Sequence, residues 1–168
     1  MPEPWLRGPL PGIPQVLQPP AHAFVMALED VDTAVVGLSA EQLWRRPGDA
    51  ASVGFHLVHL AGSTERLLTY ARGERLSDAQ ITALNAEREL RQPYPRLDAL
   101  LARWREVVQN ALRQIAETPE STLAEPRAVG RAQLPSTVLG LIFHAAEHAQ
   151  RHVGQIVTTV KIIRGTQP

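Results

Sequence analysis

The stretch His144-Ala145-Ala146-Glu147-His148-Ala149-Gln150-Arg151-His152 places a histidine at every fourth position. On an α-helix, residues four apart project from the same face, with Cβ atoms about 6 Å apart. Two imidazoles at this spacing can reach one metal ion with nitrogen–metal bonds of roughly 2.0–2.1 Å. His144 and His152 would lie about 12 Å apart along the helix axis, too far to share one ion. The stretch therefore predicts a helix that supplies two ligands of a metal site.

His56 and His59 form a second group of histidines, and either could supply a third ligand. Three histidines leave one coordination position open for water or substrate. The alternative is that these histidines lie at the surface or only take part in hydrogen bonds. Several unpaired imidazoles buried in a helical core would each cost about 1–3 kcal/mol. A shared ion satisfies them together, so a metal site is the favoured interpretation.

The composition restricts the class of protein. Seventeen basic residues balance seventeen acidic ones among 168 residues, so no excess of positive charge favours nucleic acid or an anionic membrane. The absence of cysteine excludes disulfides, thiolate ligands and a cysteine nucleophile, which leaves nitrogen and oxygen ligands for a metal. No signal peptide and no run of 18 apolar residues can be recognised, so we expect a soluble, cytoplasmic protein.

An all-α fold is predicted, because strict apolar alternation is absent and Ala, Leu, Gln, Glu and Arg dominate. Apolar residues at helical spacing and helix-ending Gly and Pro residues mark four long helices, which imply a four-helix bundle. Their expected ranges are 20–36, 52–72, 96–117 and 135–163. The expected inner face of the second helix carries Phe55, His59, Gly62, Ser63, Arg66 and Tyr70.

Two capping boxes predict two further short helices. Ser39 with Gln42, and Ser77 with Gln80, each place a hydroxyl three residues before a glutamine. The segment between the third and fourth long helices is expected to be a polar loop.

The first 19 residues are expected to form a Pro-rich arm, followed by the bundle domain over residues 20–168. Seven prolines among the first 20 residues forbid a long helix there. The arm also contains too many apolar side chains for a solvated tail, so we expect it to pack on the bundle. The tryptophans, Trp5, Trp44 and Trp104, are expected in the core rather than in contact with a cofactor.

The stretch Ser52-Val53-Gly54-Phe55-His56-Leu57-Val58-His59-Leu60-Ala61-Gly62, followed by His148-Ala149-Gln150-Arg151-His152-Val153-Gly154-Gln155-Ile156, resembles the DinB/YfiT-like superfamily of bacterial four-helix metalloproteins. The resemblance covers nearly the whole chain. It implies a bundle with one divalent ion per chain, zinc or nickel, held by His59, His148 and His152. It also implies a homodimer that acts on a small molecule.

Further polar residues are candidates for the surroundings of the metal. His56 and His144 fall outside the three implied ligands and are assigned roles beside them or in the core. Arg66 could orient an anionic group, or form a surface salt bridge, and Gln155 could bond to a ligand histidine. Glu147 lies about 100° around the helix from His148, so we expect it to point away from the metal.

Two functions remain open on these residues. Relatives implied by the resemblance include thiol S-transferases that use low-molecular-weight thiols, and hydrolases, so a metal-dependent enzyme of either kind is the leading hypothesis. The alternative is a non-catalytic metal-binding or sensing protein, or a structural helical bundle. No catalytic residue is assigned.

Overall fold

The computed structural model describes residues 1–165. The four predicted long helices are present, with ends close to those expected. They are α1 (Gln18–Ala34), α3 (Val53–Ala71), α5 (Leu97–Glu117) and α6 (Val138–Gly165). Two short helices, α2 (Ala40–Trp44) and α4 (Asp78–Arg88), lie between them. None of these helices is long and apolar enough to cross a membrane.

Local capping explains where several helices begin and end. Both predicted capping boxes are confirmed: Ser39 starts α2 and Ser77 starts α4, each with reciprocal hydrogen bonds to the glutamine three residues on. The Ser52 hydroxyl accepts a hydrogen bond from the Phe55 amide at the start of α3. Gly73 follows the end of α3 with φ of +79°, which a glycine adopts without strain. These ends depend only on neighbouring residues, which is why the sequence predicted them.

The four long helices form a closed ring of neighbours. α6 packs against α3 and α1, and α5 packs against the same two helices on the other side. Two hydrogen bonds show that α1 and α6 run parallel, since the Gln150 side chain donates to the Ala23 carbonyl and the Arg164 side chain donates to the Val36 carbonyl just after α1. α3 runs antiparallel to α6 and parallel to α5. The bundle is therefore up, down, down, up in chain order.

The core is apolar and continuous across the ring. Trp104 of α5 and Phe24 of α1 are its largest fully buried side chains. The apolar residues at helical spacing that mark α5 in the sequence include Leu100, Val108 and Ile115, all of which are buried. Trp5, by contrast, is 58% exposed, so the expectation of a core position was wrong for this tryptophan.

The arm lies along the outside of α1 and its end enters the core. Leu17 is fully buried. The Gln18 side chain bonds to the backbone of Leu10 and Ile13, at 2.8–3.0 Å, and Arg7 forms an ion pair with Glu29 of α1. The backbone of the arm is thus held by polar contacts with the first helix.

A short antiparallel hairpin replaces part of the expected polar loop. Strand β1 (Pro126–Val129) pairs with β2 (Leu134–Thr137). Each strand has only four residues, and each includes a proline. In neither strand do apolar and polar residue types alternate, which is the pattern by which a strand is recognised in a sequence. The hairpin is fixed by a tertiary contact, because Arg127 Nε donates to the Ala71 carbonyl at the end of α3 at 2.8 Å.

Candidate metal centre

Three histidines from two helices meet at one point between α3 and α6. One ring nitrogen from each of His59, His148 and His152 lies within 4.8 Å of the other two. Their ring centroids are separated by 4.5–5.2 Å. The structure thus brings together the three residues that the resemblance implied. Imidazole nitrogens bound to one ion are at most about 4 Å apart, so small side-chain movements would close the set around a metal.

The antiparallel register of α3 and α6 explains the pairing of the histidines. His148 and His152 are one helical turn apart on α6, and His56 and His59 are nearly one turn apart on α3. Because the helices run in opposite directions, His59 faces His148 and His56 faces His152. The facing nitrogens are 3.0 Å apart in both pairs: Nε2 with Nε2 in the first and Nδ1 with Nδ1 in the second.

Glu87 of α4 fixes the orientation and tautomer of His59. Its side chain is only 6% exposed, and one carboxylate oxygen accepts a hydrogen bond from His59 Nδ1. With its hydrogen on Nδ1, a neutral His59 presents a lone pair at Nε2, which is the nitrogen that faces His148. A carboxylate behind a histidine is the arrangement that orients metal-ligating imidazoles and raises their basicity.

Arg66 holds Glu87 in place from the opposite side. Its Nη1 donates to the second Glu87 oxygen at 3.1 Å. Burial alone would raise the pKa of Glu87, but hydrogen bonds from His59 and Arg66 together with their positive charge lower it below its ordinary value. Glu87 is therefore a carboxylate at neutral pH. Arg66 is engaged in this ion pair.

The imidazoles of His148 and His152 are neutral at physiological pH. Burial, reinforced by neighbouring positive charge, lowers the pKa of His148 and of His152 to about 4. Burial, followed by the charge of His59, also lowers the pKa of His56. A neutral imidazole is the form that binds a metal, so these residues need not lose a proton near pH 7 to act as ligands.

His56 lies behind the cluster and is 6% exposed. Its hydrogen bond with His152 uses Nδ1 of that ring and leaves His152 Nε2 for other partners. His56 holds the His152 ring through Nδ1, as Glu87 holds His59, but an imidazole can donate or accept this hydrogen bond whereas a carboxylate only accepts. His56 thus contacts His152, and the His59 ring lies against both His148 and His152.

His144 lies at the surface and not in the core. Its side chain is 49% exposed, Nδ1 lies 3.3 Å from Glu147, and its ring centroid is 5.6 Å from that of His148. Gln155 is also exposed, and within residues 1–165 it forms no hydrogen bond with a histidine. Both side chains lie further from the core side of α6 than His152, because a step of four residues rotates the side chain by about 40° around the helix and the step of three to Gln155 rotates it back by about 60°.

Glu147 points away from the cluster, as predicted. It pairs with Arg151 one turn along α6 and with His144. Arg151, followed by His144, lowers the pKa of this exposed carboxyl. Glu147 is therefore occupied by surface ion pairs and does not serve as a base at the metal centre.

The expected inner face of α3 was confirmed at Ser63, which is buried, and was wrong for most of the other residues assigned to it. The side of α3 that enters the core carries Leu57, Leu60, Ala61, Thr64 and Leu68, all buried. Phe55, His59, Gly62 and Arg66 are half-buried and turn towards the α4 side of the bundle. The buried residues from Leu57 to Leu68 thus pack against the other long helices, while the half-buried set with His59 and Arg66 lines the edge of α3 that α4 covers.

Glu87 was missed from the sequence. It stands on a short helix with no ligand-like spacing, and its partners His59 and Arg66 are 28 and 21 residues away. The capping box predicts where α4 begins but not which of its faces meets α3.

Comparison with known proteins agrees with the fold. The model of the DinB superfamily matches residues 23–156, which include all three clustered histidines. A solved structure, YfiT from Bacillus subtilis, superposes with a TM-score of 0.70 at 13% sequence identity and covers 95% of this chain and 94% of its own. YfiT is described as a probable metal-dependent hydrolase with an unusual four-helix bundle topology. No curated protein matches the sequence. The match over most of its length, together with the shared bundle, shows that this chain belongs to the DinB superfamily.

Proposed function

We propose that the protein binds one divalent transition metal ion, zinc or nickel, through His59, His148 and His152, and uses it in a reaction of a small molecule. The observation that carries the proposal is the convergence of three ring nitrogens within 4.8 Å, with the Glu87 carboxylate bonded to His59. Three imidazole nitrogens and a carboxylate behind one of them suit such an ion. The description of YfiT as a probable metal-dependent hydrolase supports the same assignment.

The ion, when bound, would supply a Lewis acid that lowers the pKa of a coordinated water towards about 7 or holds a thiol as its thiolate. Both hydrolysis and thiol S-transfer fit this chemistry. The residues of the chain supply the rest. Glu87 keeps the proton on His59 Nδ1, and Arg66 keeps Glu87 ionised. Burial keeps His148 and His152 unprotonated.

A non-catalytic metal-binding or sensing role is the alternative. It is favoured by the engagement of both nearby carboxylates, Glu87 with Arg66 and Glu147 with Arg151, which leaves neither free to accept a proton from a substrate. A homodimer and a low-molecular-weight thiol as substrate belong to the enzymatic proposal and are supported by the family resemblance alone.

The metal content of untagged protein, measured by elemental mass spectrometry, tests metal binding. We expect about one ion per chain in the native protein and a large loss in His59→Ala, His148→Ala and His152→Ala. His144→Ala is the matched control, because His144 lies one turn before His148 on the same helix but is exposed. Circular dichroism of each variant verifies that the helices persist. Metal-free native protein that takes up neither zinc nor nickel would contradict the proposal.

A second measurement separates the enzyme from the binding protein. The metal-loaded chain is assayed with low-molecular-weight thiols plus electrophiles, and with ester and amide substrates. Turnover that is lost in His148→Ala and kept in His144→Ala supports the enzyme. A stoichiometric ion without turnover across the panel supports the non-catalytic role.

A further inference from the structure

A cavity of about 330 Å³ lies beside the histidine cluster, between α3, α4 and the segment that precedes α5. Its walls include Trp44, Arg46, Phe55, Glu87, Arg88 and Tyr94. The volume is at the lower end of the range for small-molecule sites, which suits a ligand of roughly ten heavy atoms.

The cavity and the metal centre share two walls. The Phe55 ring stacks on His59, with centroids 5.9 Å apart and planes inclined by 8°. Glu87 lines the cavity and bonds to His59. A molecule in the cavity therefore lies one side chain away from the proposed ion.

The electrostatics of the cavity favour an anion. Glu87 is its only acidic wall residue, and its charge is offset by Arg66 and by the hydrogen bond from His59. Arg46 and Arg88 are the cationic wall residues, and across residues 1–165 neither forms an ion pair with a carboxylate. Arg46 donates only to the backbone oxygens of Asp49 and Ala50. Guanidinium groups without an anionic partner can form charge-assisted hydrogen bonds with a ligand carboxylate.

An aromatic platform forms another part of the walls. Trp44 and Tyr94 stack with their ring centroids 4.5 Å apart and their planes inclined by 19°. The indole nitrogen of Trp44 donates to the Pro95 carbonyl at 3.2 Å, and a Cβ added at Gly54 would lie 2.8 Å from the indole ring. The absence of a side chain at Gly54 thus lets Trp44 lie directly on α3. The platform is held on both sides and offers a rigid apolar surface.

We propose that this cavity binds a small aromatic or other apolar carboxylate, with its body between Phe55 and the Trp44–Tyr94 platform and its carboxylate at Arg46 and Arg88. This ligand is also the substrate if the proposed metal-dependent function is right, so its role as a substrate rests on that function. Binding itself does not require the ion, since no wall group needs a metal to contact the ligand. The two proposals can therefore fail separately.

The probe is 3-phenylpropanoate, which combines a phenyl ring with a carboxylate. Its neutral analogue, 3-phenylpropanamide, keeps the ring and loses the charge, while propanoate keeps the charge and loses the ring. Binding to the full ¹⁵N-labelled chain is followed by NMR at the Trp44 indole N–H. We expect saturable binding of 3-phenylpropanoate, and affinities for both analogues that are weaker by about tenfold or more.

Charge-neutralising variants locate the carboxylate. Arg46→Gln and Arg88→Gln should each weaken 3-phenylpropanoate binding by about three- to tenfold and leave 3-phenylpropanamide binding unchanged. Arg91→Gln is the matched control, because it removes the same charge just beyond α4 from a residue that pairs with Glu89 outside the cavity. Equal affinity for the acid and the amide, or an equal loss in Arg91→Gln, would overturn the proposal.

The His148→Ala variant distinguishes the two proposals. We expect it to lose the ion but to bind 3-phenylpropanoate with an affinity close to that of the native chain. Retained binding in a chain that never holds metal would leave the cavity assignment standing while the proposed function failed. A full complement of metal without binding of the probe at the Trp44 indole would overturn the cavity assignment alone.

Discussion

Glu87 is the residue on which the geometry of the cluster depends most. It bonds to His59 and Arg66 at once and is almost fully buried. Its position could not be predicted from the sequence, whereas the histidines could, because their spacing of four residues is itself a helical signal. A lone glutamate on a short polar helix carries no such signal.

Replacement of Glu87 by glutamine should weaken metal binding by about 10- to 100-fold, since a neutral amide no longer raises the basicity of His59. Competition with a chromophoric chelator measures the affinity. Glu89→Gln, at an exposed glutamate two residues further on, should leave it unchanged. Equal affinities in the two variants would show that Glu87 does not act on the ion.

The depressed pKa values of His148 and His152 predict a loss of stability in acid. Each pKa has its ordinary value of 6.5 in the unfolded chain and falls to about 4 in the folded chain. Between pH 4 and pH 6.5 the unfolded chain therefore binds more protons than the folded chain. The stabilisation is therefore complete above about pH 6.5 and is lost as the pH falls towards 4. Together the two residues should lower the free energy of unfolding by several kcal/mol over this window.

Urea unfolding of metal-free protein at pH 7 and at pH 4 measures this effect. The double variant His148→Gln, His152→Gln keeps the carboxylates that also titrate but removes the two imidazoles. Its stability should fall by less over the same interval. An identical fall in both proteins would show that the histidines do not contribute.

At the scale of the elements, α4 is fastened to α3 by polar contacts rather than by an apolar face. Gln80 of the capping box donates to Thr69 at 2.8 Å, and Glu87 bonds to His59 and Arg66. The sequence predicted the start of α4 because a capping box is complete within four residues. It did not predict the hairpin, since Arg127 and its partner Ala71 are 56 residues apart.

Gly62→Ala should loosen α4 from α3. A Cβ at this position would lie 2.7 Å from Arg66 Nη1 and 2.9 Å from Glu87 Oε2, so the ion pair must shift. We expect a loss of about 1–3 kcal/mol in the free energy of unfolding, measured with urea, together with weaker metal binding.

Gly154→Ala is the control for this substitution. Gly154 also lies inside a long helix, but its Cβ would meet nothing within 4 Å. Alanine should therefore stabilise α6 by about 0.5–1 kcal/mol. A similar gain in both variants would show that the close approach at Gly62 does not constrain α4.

At the scale of the whole molecule, the arm is tied to the bundle through its last residues. Leu17 is fully buried, whereas Leu6 is 57% exposed. Leu17→Ala should lower the free energy of unfolding by about 2–5 kcal/mol, and Leu6→Ala should change it by less than about 0.5 kcal/mol. Urea unfolding of both variants measures the difference. Equal, small changes in the free energy of unfolding would mean that Leu17 does not tie the arm to the core.

The helices, most of their ends and the spacing of the histidines follow from the order of the amino acids alone. These features arise from interactions between residues within about four positions of one another. Three other features follow from the packing of the helices: Glu87 and Arg66 support His59, His144 stays at the surface, and Phe55 and the Trp44–Tyr94 pair line a cavity. Those contacts join elements that are distant in the chain. They depend on how α3 and α6 are set in register and on where α4 settles, which no local pattern encodes.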